Sequence, residues 1–214
     1  MFDVPKKLQS VADQIDGWLD LRGPDKALAL VGPLLGDPAA RAAGLERKVR
    51  ALVRMGDYPA ALVELGELRT IAPDDEWVAL TEGYVRKRAG DLRGAIAALE
   101  ALLLRDHKSA VGHFNLGCYL ALAGDKDRAI AELSLACGLD DQNRDFLRDD
   151  ADLDPLRTDE RFRALLREER PPRPPAAPKS PSAGLLDDDD EDWDDDEDDD
   201  PDDDAPPRGD VRRN

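Results

Sequence analysis

The chain has 214 residues, two cysteines, two histidines and a formal net charge of −18. Sixteen acids and no base fall in residues 187–204; removing them from the 48 acidic residues leaves 32 against 30 basic ones. The acidity therefore belongs to one segment and not to a fold. Two cysteines without CxxC or His/Cys spacing exclude a disulfide framework or a zinc module and suit a reduced, cytoplasmic setting.

The first residues, MFDVPKKLQSVADQIDGWLD, carry acids in place of an apolar leader core, and no run is long enough to span a bilayer. Leu8, Val11, Ile15 and Trp18 form a helical stripe that predicts an inward-facing first helix. Arg22-Gly23-Pro24-Asp25 then reads as a turn.

From here a period of 34 residues governs the chain. Ala27, Ala61, Ala95 and Ala129 are equally spaced, each followed by Leu28, Leu62, Ile96 or Ile130. Val31, Leu65, Leu99 and Leu133 follow, then Leu34, Leu68, Leu102 and Ala136, which is one helical stripe per copy. Gly56-Asp57, Gly90-Asp91 and Gly124-Asp125 recur before these helices. The glycine suits a left-handed helix end, and the aspartate suits the positive start of the next helix. Upstream of each turn lies the first helix of a pair, where Gly83 and Gly117 would allow close helix approach. A generic helical bundle has no need of a fixed period.

A 34-residue helix–turn–helix period, with Pro73 at one repeat end, resembles the tetratricopeptide pattern. The predicted fold is all-α: a right-handed α-solenoid of about four such repeats (8–41, 42–75, 76–109, 110–143) with a capping segment at 144–170. Residues 113–166, HFNLGCYLALAGDKDRAIAELSLACGLDDQNRDFLRDDADLDPLRTDERFRALL, resemble the terminal part of many bacterial tetratricopeptide-repeat proteins. There a NLACYxALxGD helix precedes a DPDLxPLRxDPRFxxLL closing segment. Here Gly117 stands at the usual alanine and Glu160 at the last proline. Thr158 is a candidate cap for a last short helix in which Phe162, Leu165 and Leu166 seal the stack.

The resemblance implies a protein-interaction scaffold with a concave groove lined by the first helices of the pairs. On that geometry the second repeat presents Glu46, Arg47, Arg50 and Arg54. The third presents Trp77, Leu80, Tyr84, Lys87 and Arg88, and the fourth Phe114, Asn115 and Cys118. Such a groove is basic with interleaved aromatics, both favoured interface anchors. The Lys/Asn carboxylate clamp of chaperone-tail-binding members is absent from the fifth and ninth positions, which hold Ala12/Asp16, Glu46/Arg50, Leu80/Tyr84 and Phe114/Cys118.

Residues 171–186 begin PPRPPAAPKSP and read as a stiff proline-rich linker. Residues 187–214 are expected to be a disordered acidic tail, without a core to form and with Trp193 isolated among carboxylates. The tail reads either as a solubilising chain or, being opposite in sign to the groove, as a competitor of an acidic partner peptide. A second reading makes the tail the capture site for a basic protein client, as in an assembly factor or chaperone. Nucleic acid is disfavoured by the acidic run. GxSxG, HExxH and GxxxxGK[ST] are all absent, His113 reads as a packing histidine, and the expectation is a non-enzyme without cofactor or metal.

Overall fold

A computed structural model describes residues 2–167, and every regular element in them is helical. The linker and tail, and the last residues of the expected cap, lie outside the described residues. A 3-10 turn at Lys6–Leu8 leads into α1 (Gln9–Asp20). There follow α2 (Pro24–Leu30), α3 (Gly32–Leu35), α4 (Arg41–Arg54), α5 (Tyr58–Ile71), α6 (Glu76–Arg88), α7 (Leu92–Arg105), α8 (Ala110–Leu122) and α9 (Lys126–Leu139). The closing segment holds α10 (Asn143–Phe146), a 3-10 helix at Ala151–Leu156 and α11 (Glu160–Arg167). Through α9 each helix packs chiefly on a sequence neighbour, with α4/α5, α6/α7 and α8/α9 the most extensive pairs, while the closing segment folds back, its 3-10 helix on α8 and α11 on α9. The fold is an α-solenoid of about four tetratricopeptide-type helix pairs closed by a C-terminal helix.

The turn chemistry is that of the sequence pattern. Gly56, Gly90 and Gly124 take φ of 72°, 83° and 85°, a conformation that costs a side-chain-bearing residue about 1–2 kcal/mol. The next aspartate caps the following helix: Asp57 accepts from Ala60 N (3.1 Å), Asp91 from Gly94 N (2.9 Å) and Asp125 from Arg128 N (3.3 Å). The first turn solves the same problem with the wrong residue, since Arg22 itself takes φ 54°.

Three buried clusters run along the stack. Ala12, Ile15, Leu19, Ala27, Val31 and Leu34 fill the first, and Leu45, Val49, Leu65, Leu68, Val78 and Val85 the second. Leu99, Leu116, Leu133, Leu153, Leu156 and Phe162 belong to the third. In α1 the deepest residues are Ala12, Ile15 and Leu19, whereas Leu8, Val11 and Trp18 are half-buried, so the inward face is rotated slightly from the expected stripe. The second helix of the first pair breaks between Leu30 and Gly32, where Pro33 has no N–H for the helical ladder. The last helix is capped by Asp159 and not by Thr158: Asp159 Oδ1 accepts from Arg161 N at 2.9 Å. Arginines tie the closing segment to itself, with Arg144 donating to Leu165 O (3.0 Å) and Arg157 to Leu147 O (2.8 Å) and Asp150 O (2.9 Å).

Candidate functional site

The face formed by α4, α6 and α8 carries all the residues expected in a groove, and their surroundings differ sharply. Arg47 is only 2% exposed; its guanidinium donates to Asp16 Oδ2 at 2.6 Å and to Ala43 O at 3.1 Å. Arg50 reaches the other oxygen of the same carboxylate, Asp16 Oδ1, at 3.3 Å. One aspartate of α1 thus holds two arginines of α4. Arg54, one turn further on, is exposed. Loss of hydration, and then the like charges of Arg50 and Arg22, hold its pKa below the usual arginine value against the pull of Asp20.

On α6, Trp77 and Tyr84 are half-buried at the edge of the second cluster. Lys87 donates to Asp152 Oδ2 at 2.7 Å and lies 5.5 Å from the Tyr119 ring and 6.0 Å from the Tyr84 ring. Arg88 donates through Nε to the Tyr58 hydroxyl (3.0 Å), its guanidinium 5.7 Å from that ring. On α8, Phe114 is buried and meets the exposed Phe146 edge-on, with centroids 6.2 Å apart, while Asn115 is half-buried. Leu80 and Cys118 are buried too. The Cys118 thiol lies 3.4 Å from Asp150 Oδ2; burial first, and then Asp150 and Asp152, push its pKa well up.

Two carboxylates therefore balance three of the cations on this face: Asp16 takes Arg47 and Arg50, and Asp152 takes Lys87. Asp16 occupies the ninth position of its own repeat and was legible as a groove residue. Asp152 comes from the closing segment, 65 residues from Lys87, and no local pattern announces the pair. Thr81 and Glu82 on α6 and Glu46 on α4 are buried polar residues as well. Among the described residues, four buried side-chain atoms find no partner: Arg47 Nε, Arg50 Nε, Trp77 Nε1 and Thr81 Oγ1.

His113 sits between two oxygens, with Nδ1 2.5 Å from Glu132 Oε2 and Nε2 3.1 Å from His107 O. Both of its nitrogens are used structurally. Among the described residues no group of three or more His, Cys, Asp or Glu could hold a metal ion, and no helix is long and apolar enough to cross a membrane.

No family model matches the sequence, and no curated protein does. Solved structures do. The "MamA RS-1 ArsTM double mutant" superposes with a TM-score of 0.58 at 17% identity, over 76% of this chain and 96% of that one. "MamA 41-end from Desulfovibrio magneticus RS-1" gives 0.57 at 19% identity, over 68% and 82%, and "Crystal structure of MamA" gives 0.59 at 13%, over 71% and 90%. At such identities the likeness is one of fold, and that fold is the tetratricopeptide-type helical repeat already built from the sequence.

Proposed function

We propose that the chain is a non-catalytic protein-interaction scaffold, cytoplasmic, holding a partner peptide or helix on the face of α4, α6 and α8. The repeat domain would be 1–170, divided as the 34-residue period divides it, with the proline-rich linker (171–186) and acidic tail (187–214) modulating access. One observation carries the reading. Among the described residues, every buried side-chain polar atom without a partner lies on α4 or α6, at groove positions. Buried donors left unpaired cost about 1–3 kcal/mol each, so a face that collects three N–H groups and a hydroxyl in that state gives up stability at the positions where a partner would sit, the four atoms themselves lying beneath its surface. The half-buried Trp77 and Tyr84 beside them supply apolar anchoring. Support for a non-enzyme comes from occupied chemistry: His113 is held on both nitrogens, and the Cys118 thiol is kept protonated.

The test is quantitative capture by the full chain, by a Tyr84→Ala/Arg88→Glu variant, and by a chain with asparagine for every aspartate in 187–204. The groove reading expects the first variant to bind its partner about tenfold more weakly or worse, the loss of about 1.4 kcal/mol. Retention by that variant, together with loss by the tail variant, would favour instead the capture of a basic client by the acidic run, through steep salt-sensitive charge attraction.

A further inference from the structure

The N-terminal residues do not trail away from the stack. Phe2–Pro5 has no regular structure, and Pro5 is extended at φ −56°, ψ 140°. The backbone amide of Phe2 donates to Glu46 Oε2 at 3.1 Å, across 44 residues of sequence. Glu46 is the fifth position of its repeat, on the groove face of α4, and is 3% exposed. The Phe2 side chain is half-buried against the second cluster, whose partly buried edge includes Trp77 and Tyr84. Val4 is half-buried against the first cluster, and Asp3 between them is exposed. Inward, outward, inward is the alternation of an extended strand, in which side chains two apart share a face. Beyond it, Lys7 Nζ pairs with Asp37 Oδ2 at 2.5 Å.

We propose that Phe2–Pro5 is an internal occupant of this face, and that the partner is an extended peptide of the same chemistry, which displaces it. That peptide carries two apolar side chains two residues apart, the first of them large, with a main-chain N–H to give to Glu46. The inference rests on the groove reading above and names the partner class for it. Glu46 is the reason for an extended ligand and not a helix: the groups it accepts from within a helix are already used, whereas a strand offers every second amide outward. The hold on the segment is slight, one amide and two half-buried side chains, so exchange for a competitor is allowed. Tethering nevertheless gives the segment an effective concentration on the order of millimolar, which keeps it seated until a better ligand arrives.

The probe is a synthetic peptide, MFDVPKK with an amidated C-terminus, titrated into the 15N-labelled full chain and followed by amide chemical shifts. Phe2→Ala should bind the peptide about tenfold more tightly than the unaltered chain, with shifts centred on residues 45–50 and 77–84. Phe2→Leu, which keeps an apolar anchor, should behave like the unaltered chain, and Phe2→Ala/Glu46→Ala should lose the gain. Equal binding by the unaltered chain and Phe2→Ala, no binding by either, or shifts that spare α4 and α6 would overturn the inference. The two readings fail separately. Capture that depends on Tyr84 and Arg88 while the peptide finds no seat keeps the groove and removes the strap. A peptide that behaves as expected while capture ignores Tyr84 and Arg88 keeps the strap and removes the groove as the partner site.

Discussion

Gly117 lies so close to Leu133 that a Cβ built on it would stand 2.7 Å from Leu133 Cγ and 2.9 Å from Cδ2, with Ala129 O at 3.2 Å. Helix α8 sinks onto α9 by the width of a methyl group. An alanine at this position would therefore not fit without moving Leu133, a fully buried residue. Gly117→Ala should destabilise the chain by about 1–2 kcal/mol, overpacking outweighing the gain in helix propensity. Gly83 is the internal control: its nearest atoms are Leu99 Cδ2 and Cγ at 3.2 Å. Gly83→Ala should change stability by no more than about 0.5 kcal/mol, because tight contact and better propensity offset each other. Urea denaturation of both variants checks the contrast.

Arg22 occupies the left-handed position that glycine holds in the other three turns. Arg22→Gly should stabilise the fold by about 0.5–1 kcal/mol, the relief of backbone strain exceeding the added freedom of the unfolded chain. The same change at an exposed residue with negative φ, such as Arg105 of α7, should do the opposite. A thermal melt of the two variants reads the sign.

The Asp16 carboxylate is the anchor of two arginines, one of them fully enclosed. Asp16→Ala strands the Arg47 guanidinium in the stack and should destabilise by about 2–3 kcal/mol, less than for a wholly buried pair because Asp16 keeps some solvent contact. Asp16→Leu combined with Arg47→Met removes both charges and should recover most of that loss. A double-mutant cycle in denaturant measures the coupling.

Asp159 caps α11, and its hydrogen bonds to Arg161, side chain first and backbone second, lower its pKa to about 2. A carboxylate with a depressed folded pKa contributes stability above its unfolded value near 4, and that contribution fades as pH falls towards 2. Asp159→Asn keeps a capping oxygen but not the charge. The melting temperatures of the two proteins should differ at pH 5 and converge by pH 2.

The repeat architecture was legible because two constraints coincide every 34 residues. A glycine must supply positive φ at Gly56, Gly90 and Gly124, and an aspartate must meet the first free amides of the next helix. The burial of Ala61, Leu65 and Leu68 follows from spacing alone. The cap on the last helix was harder to read, since Thr158 and Asp159 are both good capping residues and only the backbone path chooses between them. The break at Pro33 was visible as a proline but masked by an apolar stripe that continues through Val31 and Leu34 on either side. On the α4–α6–α8 face, residue identity was readable and ion pairing was not. Lys87 and Asp152, or Phe2 and Glu46, meet only after the stack has formed, and no window of sequence contains both partners.

The neighbour-on-neighbour packing of the helices has a kinetic consequence. Closing a helix pair requires joining residues only about one repeat apart, so little chain entropy is lost before contacts form. Folding can begin at any pair and spread outwards. Phe2–Pro5, held across 44 residues by one amide and two half-buried side chains, has the least to keep it in place, whereas the Asp152 turn is anchored by the fully buried Leu153 and Leu156. Among the described residues, the end of the α4–α6–α8 face that Phe2–Pro5 covers is thus the part expected to open most readily, while the helices beneath remain built.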